Sequence, residues 1–332
     1  MTLLRSCPWE KMVFLPEESS FCQQLEKHKI PYRVIPVSLL RDNIRQYSPD
    51  IVHCNAATVR YAFIAALFCS LEKIPFIWHL RVTERAFLKD DIIALLSDRI
   101  IAISSAVKNK LRTFWRPKVS VVYNAVSADF VPAISAGEIR KKLALSPEDR
   151  VIGVFSRFVK FKGHNIFLSA AFRLLERRQD LKFLLVGEGE IKEEIKKRVI
   201  LSSRPENFIF TGHIENVADY MNICDIVVNP SQDIEGFGRV IIEAMSLGKI
   251  PVSTALGGPE EIISDGEDGF LCSPEPESMA AAIEKALSAP GFMREKVIIK
   301  AKEKFSVEKN VSQIMEIYES VIKRSENRVG YI

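Results

Sequence analysis

The segment from residue 226 to residue 253 contains two apolar runs with a glycine loop and a helical pattern between them. The apolar run 226–228 predicts a buried strand. A polar loop follows and ends in Glu-Gly-Phe-Gly at 235–238, after which the apolar spacing of residues 239–247 predicts an amphipathic helix. Residues 251–253 predict a second strand. Such a unit presents backbone N–H groups and the positive end of a helix to an anion or a sugar.

The same alternation of apolar strands and amphipathic helices runs through the whole chain. It predicts parallel sheets covered by helices on both faces, which is an α/β fold. The predicted strands are residues 32–36, 51–54, 76–79, 99–103, 119–123, 151–155, 183–186, 208–210, 226–228, 251–253 and 269–272. The predicted helices are residues 21–29, 58–71, 92–96, 105–111, 166–178, 191–199, 240–247, 278–287, 294–304 and 311–323.

The length of 332 residues is enough for two domains that each bury a core. A proline and several charged residues at 144–150 mark the predicted linker. We therefore predict an N-terminal domain of residues 1–145 and a second domain of residues 146–310. The helical pattern 311–323 has a long apolar stripe that requires burial.

The cysteines and the apolar runs indicate a cytoplasmic protein. The six cysteines are scattered, without a CxxC pair or a cluster with histidine, which is typical of reduced thiols in the cytosol. The first ten residues lack the apolar core of a signal peptide. The longest apolar run, residues 61–71, is too short to span a bilayer.

Positive charge is concentrated in the first half of the chain. Residues 1–150 hold 22 Lys and Arg against 15 Asp and Glu, a net charge of +7, whereas the remaining residues have a net charge of −3. This asymmetry favours an anionic partner such as a membrane surface or a lipid phosphate, but an ordinary mixture of surface charge explains it equally well. Arg-rich helices with interleaved exposed aromatic residues are not evident, so we predict no nucleic-acid partner.

Five consecutive predicted strands of the second half end in loops that contain glycine, a charged residue or both. In open parallel sheets, ligands bind outside the carboxyl ends of the strands. A simple strand-to-helix turn explains each loop alone, but the series of five favours a ligand-binding edge. These loops are residues 156–163, 187–189, 211–213, the loop that contains Glu235, and residues 257–261.

The ordered motifs in these loops resemble the donor-binding domain of GT-B glycosyltransferases, most closely the large retaining family that is fourth in the sequence-based classification. The resemblance covers roughly residues 51–287. It implies two doubly wound parallel-sheet, Rossmann-like domains that face each other across a cleft, with the segment 311–332 crossing back to the first domain. The motifs that carry the resemblance are Arg157 with Lys162 and Gly163, residues 185–189, residues 210–213, residues 235–238 with 242–245, and Gly257 and Gly258 with Glu261.

The resemblance implies a nucleotide-sugar donor, whose diphosphate leaves as the glycosidic bond breaks. Arg157 and Lys162 match the family's basic pair, which stabilises the charge on the leaving diphosphate. Glu243 matches the glutamate that binds the ribose hydroxyls, and Glu235 matches the carboxylate near the donor sugar. Ordinary surface ion pairs and a helix-start acid are the structural alternatives for these side chains. The other implied donor-binding residues are Gly187, Gly212, Gly236, Phe237 and Gly238.

His79 ends the predicted strand 76–79 and matches a histidine that lies beside the donor sugar in many family members. Its implied role is a hydrogen bond to the sugar, and a satisfied, partly buried histidine is the alternative. The chain has no Asp-x-Asp pair to hold a divalent ion on a diphosphate. We therefore predict no metal site and no cofactor besides the donor substrate. The residues assigned to catalysis are Glu235, His79, Arg157 and Lys162.

The implied function is that of a retaining, metal-independent hexosyltransferase. It would transfer a sugar from a nucleotide-diphosphate sugar to a glycan, a lipid-linked or another acceptor, in the synthesis of cell-surface polysaccharide or glycolipid. The expected location is the cytoplasm, with peripheral membrane contact through the basic first half.

The beginning of the chain departs from the family pattern. Relatives begin with a strand, a glycine-rich loop and a helix that helps to bind the acceptor, whereas residues 9–16 match the second strand and residues 1–20 contain no glycine. We expect the first strand and its loop to be missing, which keeps a non-catalytic, nucleotide-sugar-binding subunit as the alternative. A dinucleotide-dependent oxidoreductase would need a G-x-G-x-x-G loop that opens a helix, and we find none.

Overall fold

The computed structural model describes residues 1–55 and 59–329, which divide into two compact units. Unit 1 combines Met1–Ala125 with the C-terminal segment from Val307, and unit 2 is Val126–Ser306. The division lies earlier than the predicted linker, since Ile139 of the helix Ala136–Lys142 is buried in the core of unit 2. Thr58, the predicted start of one helix, and the last three residues of the predicted segment 311–332 lie outside the described residues.

Strands and helices alternate along both units. The strands are β1 (Val13–Leu15), β2 (Tyr32–Val34), β3 (Val52–Cys54), β4 (Phe76–Leu80), β5 (Arg99–Ala102), β6 (Val119–Val121), β7 (Arg150–Phe155), β8 (Leu181–Val186), β9 (Phe208–Gly212), β10 (Ile226–Asn229), β11 (Ile250–Thr254) and β12 (Phe270–Cys272). The helices are α1 (Thr2–Ser6), α2 (Ser20–Lys27), α3 (Leu40–Tyr47), α4 (Val59–Leu71), α5 (Phe87–Leu96), α6 (Ser105–Lys108), α7 (Ala136–Lys142), α8 (His164–Leu175), α9 (Lys192–Ile200), α10 (Val217–Met221), α11 (Arg239–Ser246), α12 (Gly258–Ile262), α13 (Pro276–Leu287), α14 (Phe292–Lys304) and α15 (Val307–Val329). Short 3₁₀ helices are Val37–Leu39, Thr113–Lys118, Lys160–Lys162 and Pro205–Asn207.

Unit 2 contains one parallel sheet with the strand order β9-β8-β7-β10-β11-β12. The chain starts at the central strand β7, builds outward to β9, and then returns to the centre to build outward in the other direction. This order is that of a doubly wound, Rossmann-like domain. The order reverses between β7 and β10, where Ile226 is in register with Ile152.

Alternate side chains of the central strands of unit 2 belong to two different hydrophobic clusters. Ile152 of β7 packs in the cluster that includes residues of α8 and α13, whereas its neighbour Val151 packs in the cluster that includes residues of α7 and α10. Leu185 and Leu184 of β8 divide in the same way. Helices therefore cover both faces of the sheet, as the apolar strand runs predict.

Unit 1 contains a parallel sheet with the order β3-β4-β5-β6 and a separate parallel pair, β1 with β2. The long helix α15 packs on one face of the larger sheet. Its buried side chains Ile314, Tyr318 and Val321 form one cluster with Ile77, Ile101 and Val122 of the sheet region. The helix α1 contacts α15 on the same side.

The predicted α/β fold with two Rossmann-like domains is confirmed. All six cysteines are free thiols, and five of them are buried. Within the described ranges, no helix combines the length and the apolar character that a membrane span needs.

Candidate functional site

The carboxyl edge of the unit 2 sheet has a break in strand order between β7 and β10. The connections that follow these neighbouring strands lead away to opposite sides, which leaves a crevice at this edge. The loop 156–163 follows β7, and the loop 230–238 follows β10. The sheet order thus brings two of the predicted motif loops to the same place.

Gly163 fixes the approach of these two loops. Its φ of +68° lies in the left-handed region, and a Cβ atom at this position would lie 1.8 Å from the carbonyl oxygen of Pro230. The main chains also share a hydrogen bond, from the amide of Gln232 to the carbonyl of Phe161 at 2.9 Å. Only glycine permits such a close backbone contact in this conformation.

Lys162 and Glu235 form an ion pair across the two loops. Nζ of Lys162 lies 2.5 Å from Oε2 of Glu235, and the two side chains are 19% and 18% exposed. The hydroxyl of Ser231 donates a second hydrogen bond to the same carboxylate oxygen at 2.9 Å. Partial burial strengthens a charge-assisted pair relative to one on the open surface. Two residues assigned independently to the donor site therefore meet in the structure.

Arg157 begins the same loop and is exposed. Within residues 1–55 and 59–329, no ion pair or hydrogen bond engages its guanidinium group. A guanidinium group offers five N–H donors in a planar fork that suits phosphate oxygens. The position of Arg157 at the end of β7 leaves this fork available to an anionic ligand.

The main chain of the Glu235 loop is anchored to the loop that follows β11. The amide of Glu235 donates to the carbonyl of Leu256 at 2.9 Å, and its carbonyl accepts from the amide of Gly258 at 2.8 Å. Phe237 is only 2% exposed, and its ring packs edge-on against Phe305 with centroids 6.0 Å apart. The side chain of Phe237 is thus a buried anchor of the loop, and the contact of Phe237 with a donor stays a prediction.

Gly238 and Glu243 belong to the start of helix α11. Gly238 is the N-cap residue, with a φ of +91° that favours glycine. Glu243 lies on the second turn, and its Oε1 accepts a hydrogen bond from Nη2 of Arg239 at 2.9 Å. Arg239 is 64% exposed and Glu243 only 15% exposed, so the arginine can swing away while the carboxylate stays in place.

Gly187 directly follows β8, and Gly212 is the last residue of β9. The amide of Gly187 donates to the carbonyl of Gly212 at 3.0 Å, so this N–H is already occupied by the protein. A Cβ atom on Gly187 would lie 2.1 Å from the carbonyl oxygen of Ser156, and both glycines have positive φ. These contacts explain the glycines as packing requirements, and their contact with a donor stays a prediction.

His164 is a buried residue of this region that is not among the site residues predicted from the sequence. It is the first residue of α8, stacks on Phe158 with centroids 4.2 Å apart, and lies with Nε2 3.3 Å from the hydroxyl of Ser156. Burial and, to a lesser extent, the charge of Lys162 lower the pKa of His164 to about 4. Its position directly after the Lys162-Gly163 motif is the signal that could have identified it.

His79 lies in unit 1, on strand β4, and is buried. Its Nδ1 lies 3.0 Å from Nε2 of His53, and Nδ1 of His53 is hydrogen bonded to the hydroxyl of Tyr318. Nearby, Arg81 donates a hydrogen bond to Oδ1 of Asn124 at 2.8 Å. The sequence predicts His79 as a site residue but gives no signal for His53 or Tyr318, since these partners come from distant parts of the chain.

Metal-ligating side chains are dispersed in the part of the chain that the structure describes. In that part, no group of three or more His, Cys, Asp and Glu side chains is arranged to hold a metal ion.

Two family profiles match the chain and together span most of it. The profile described as Glycosyl transferases group 1 matches residues 135–304. The profile described as Glycosyltransferase Family 4 matches residues 20–130.

Individual relatives are similar over large parts of their length. The N-acetyl-alpha-D-glucosaminyl L-malate synthase of Bacillus anthracis is 26% identical over 90% of this chain and 81% of its own. The lipopolysaccharide core biosynthesis mannosyltransferase LpsB of Rhizobium meliloti is 26% identical over 68% of this chain and 66% of its own. The crystal structure of Anabaena HepE in complex with UDP superposes with a TM-score of 0.86 at 23% identity, over 96% of this chain and 94% of HepE.

Proposed function

Since the chain belongs to the family Glycosyl transferases group 1, we propose that it is a metal-independent hexosyltransferase that retains the anomeric configuration of its nucleotide-sugar donor. The observation that carries the proposal is the ion pair of Lys162 with Glu235 at the break in strand order. A cation for the leaving group and a carboxylate for the sugar are the two charges that such a transfer needs in one place.

In this proposal, the diphosphate of the donor binds Arg157 and Lys162. Negative charge develops on the diphosphate as the glycosidic bond breaks, and preorganised cations stabilise that charge. Lys162 is already held at the site by Glu235, whereas the Arg157 side chain is exposed. Binding of the donor transfers Lys162 from the carboxylate to the phosphate oxygens.

Glu235 then acts on the donor sugar. The transition state of glycosyl transfer carries positive charge on the ring, and a nearby carboxylate stabilises it. Ser231 and the backbone contacts with Leu256 and Gly258 hold Glu235 when Lys162 turns to the diphosphate. His79 of unit 1 is assigned a hydrogen bond to the sugar.

The nucleotide half of the donor is assigned to helix α11 and the glycine loops. Glu243 would accept hydrogen bonds from the ribose hydroxyls, after releasing the exposed side chain of Arg239. The N-terminal end of α11, at Gly238, favours the negative charge of the diphosphate. Gly187 and Gly212 let the backbone approach the nucleotide closely.

The substrates are proposed from the relatives. HepE of Anabaena has been crystallised with UDP and with UDP-glucose, which makes UDP-sugars the first donors to test. LpsB is named for mannosyl transfer in lipopolysaccharide core synthesis, which favours a glycan or lipid-linked acceptor in cell-surface polysaccharide synthesis.

A membrane surface is the proposed site of action of the cytoplasmic enzyme. Helix α5 exposes Phe87, Leu88 and Leu95, and Phe114 of the 3₁₀ helix Thr113–Lys118 is 78% exposed. Trp115 donates a hydrogen bond to Asp91 of α5, which joins the two elements into one surface. We call Phe87, Leu88, Leu95 and Phe114 the apolar patch. Its basic neighbours Arg85, Lys89, Arg112 and Arg116 suit the anionic headgroups of a bilayer.

The test is a panel of UDP-, GDP- and ADP-sugars, measured first by thermal shift. A donor at one hundred times its dissociation constant stabilises the protein by about 2.7 kcal/mol. Release of the nucleoside diphosphate, and the anomeric configuration of the product, are then followed with the donor that binds. Tight binding without release in the presence of glycan and lipid-linked acceptors would contradict the proposal and favour a non-catalytic binding subunit.

A further inference from the structure

Three side chains of unit 1 form a continuous hydrogen-bonded chain between the larger sheet and the helix α15. The hydroxyl of Tyr318, on α15, is bonded to Nδ1 of His53, on β3. Nε2 of His53 lies 3.0 Å from Nδ1 of His79, on β4. We call Tyr318, His53 and His79 the histidine relay. The relay joins the C-terminal helix to a residue assigned to the donor sugar.

Both histidines of the relay are neutral. Burial, followed by the charge of Arg81, lowers the pKa of His53 to about 3. The same two causes, together with His53, lower the pKa of His79 well below its ordinary value. A neutral imidazole has one N–H donor and one acceptor nitrogen, so the tautomer decides what each ring offers.

The hydrogen-bond partners of Tyr318 set the direction of the relay. The phenol is 6% exposed, and in the described ranges its hydroxyl has His53 as its hydrogen-bond partner. A buried O–H group without an acceptor is costly, so the phenol donates to Nδ1 of His53. His53 must then carry its proton on Nε2 and donate it to Nδ1 of His79. The proton of His79 is consequently on its own Nε2.

We propose that Tyr318 and His53 are positioning residues that hold His79 in the tautomer with a proton on Nε2, so that His79 donates a hydrogen bond to an oxygen of the donor sugar. The proposal rests on the proposed function, which assigns His79 to the sugar. In the described part of the chain, no residue is hydrogen bonded to Nε2 of His79. Its N–H group therefore remains for a ligand, and the second ring and the phenol fix its orientation.

The tautomer can be read directly by NMR on the full chain with ¹⁵N-labelled histidine. The sequence has five histidines, so the signals can be assigned with His53→Gln and His79→Gln. We expect His79 of the wild type to carry its proton on Nε2, and Tyr318→Phe to convert His53 and His79 to a mixture of tautomers. A proton on Nδ1 of His79 in the wild type, or unchanged tautomers in Tyr318→Phe, overturns the inference.

The kinetic test uses release of the nucleoside diphosphate from the donor that the thermal-shift panel identifies. Tyr318→Phe is expected to lower kcat about tenfold and to change KM for the donor by less than about threefold, since the ring stays in place and only the N–H donor to the sugar is affected. His53→Gln keeps one acceptor and one donor and should retain most activity, whereas His53→Leu should not. An equal loss in both His53 variants would show a purely structural role.

Tyr61→Phe is the matched control. Tyr61 also lies in unit 1, and its buried hydroxyl has no hydrogen-bond partner within residues 1–55 and 59–329. Its variant should leave kcat and both tautomers unchanged. A wild type that releases no nucleoside diphosphate would contradict the proposed function, while the NMR measurement still decides the relay. Turnover that Lys162→Ala abolishes and Tyr318→Phe leaves intact would contradict the relay alone.

Discussion

Nζ of Lys162 lies 2.5 Å from Oε2 of Glu235, although 73 positions of sequence separate the two residues. The contact links Lys162, which is proposed to bind the diphosphate, to Glu235, which is proposed to act on the donor sugar. A diphosphate carries more negative charge than one carboxylate, so it competes with Glu235 for the same ammonium group. Before a donor binds, the ion pair avoids an unpaired, partly buried carboxylate, which is costly to desolvate.

The first prediction concerns the leaving group. Lys162→Ala should weaken binding of UDP about tenfold, because a charge-assisted hydrogen bond contributes about 1.5–3 kcal/mol. Binding of uridine should change much less. Isothermal titration calorimetry with both ligands measures the difference, and Lys285→Ala, which replaces an exposed lysine on α13, is the control. Equal losses for UDP and uridine would mean that Lys162 only supports the fold.

The second prediction concerns the carboxylate. Glu235→Gln keeps the size of the side chain but removes its charge, so turnover should fall strongly while donor affinity changes only a few-fold. The wild type should keep its activity in EDTA, and its product should keep the anomeric configuration of the donor. Steady-state kinetics and NMR of the product provide the measurements. An inverted product, or activity lost in EDTA and restored by manganese, would refute the mechanism.

The sequence predicts the strands and the strand-end loops of unit 2 because each depends on a local pattern. Runs such as residues 151–155 and 226–228 are apolar on both faces, and glycine follows where the chain must turn. The family resemblance, the α/β fold and the assignment as a glycosyltransferase are confirmed. The helix α3 has no predicted counterpart, since so short a segment shows no strong helical period.

The contacts between distant residues could not be predicted in the same way. A local period shows which side chains are buried, but not which strands become neighbours. The pair of His53 with Tyr318 spans 265 positions and depends on α15 packing against the first unit's sheet. The division between Ala125 and Val126 depends likewise on the burial of Ile139, which a linker-like composition at 144–150 does not reveal.

The third prediction tests the contact of the two site loops. Gly163→Ala should destabilise the protein by about 2–4 kcal/mol, because it adds a Cβ atom at positive φ against the carbonyl of Pro230. Gly137→Ala is the control, since nothing lies within 4 Å of the position that its new methyl group would take on α7. That variant should be neutral or stabilising by about 0.5–1 kcal/mol. Urea unfolding measures the change in the free energy of unfolding of both variants. Similar changes in the two variants would contradict the close contact.

The fourth prediction concerns the apolar patch. The double variant Leu88→Ser with Phe114→Ser should bind vesicles of anionic lipid at least about tenfold more weakly, because two exposed apolar side chains leave the bilayer interface. Flotation with and without anionic lipid measures binding. Leu201→Ser is the control, since Leu201 is a leucine of unit 2 that is even more exposed than Leu88. Unchanged flotation of the double variant would show that the apolar patch does not contact the membrane.

The last prediction concerns the dependence of stability on pH. Burial lowers the pKa of His164 from 6.5 to about 4, so between these values the unfolded chain binds a proton that the folded chain does not. The unfolded state therefore gains stability as the pH falls through this window, and the free energy of unfolding decreases. The shift corresponds to a loss of about 2–3 kcal/mol between pH 7 and pH 4.5.

His164→Gln should lose this part of the pH dependence, whatever its stability at pH 7, because its side chain does not titrate. His53 and His79 titrate in both proteins, so the difference between the two slopes isolates His164. Urea unfolding at several pH values between 7 and 4.5 provides the slopes. Identical slopes for His164→Gln and the wild type would show that His164 is protonated as easily in the folded protein as in the unfolded chain.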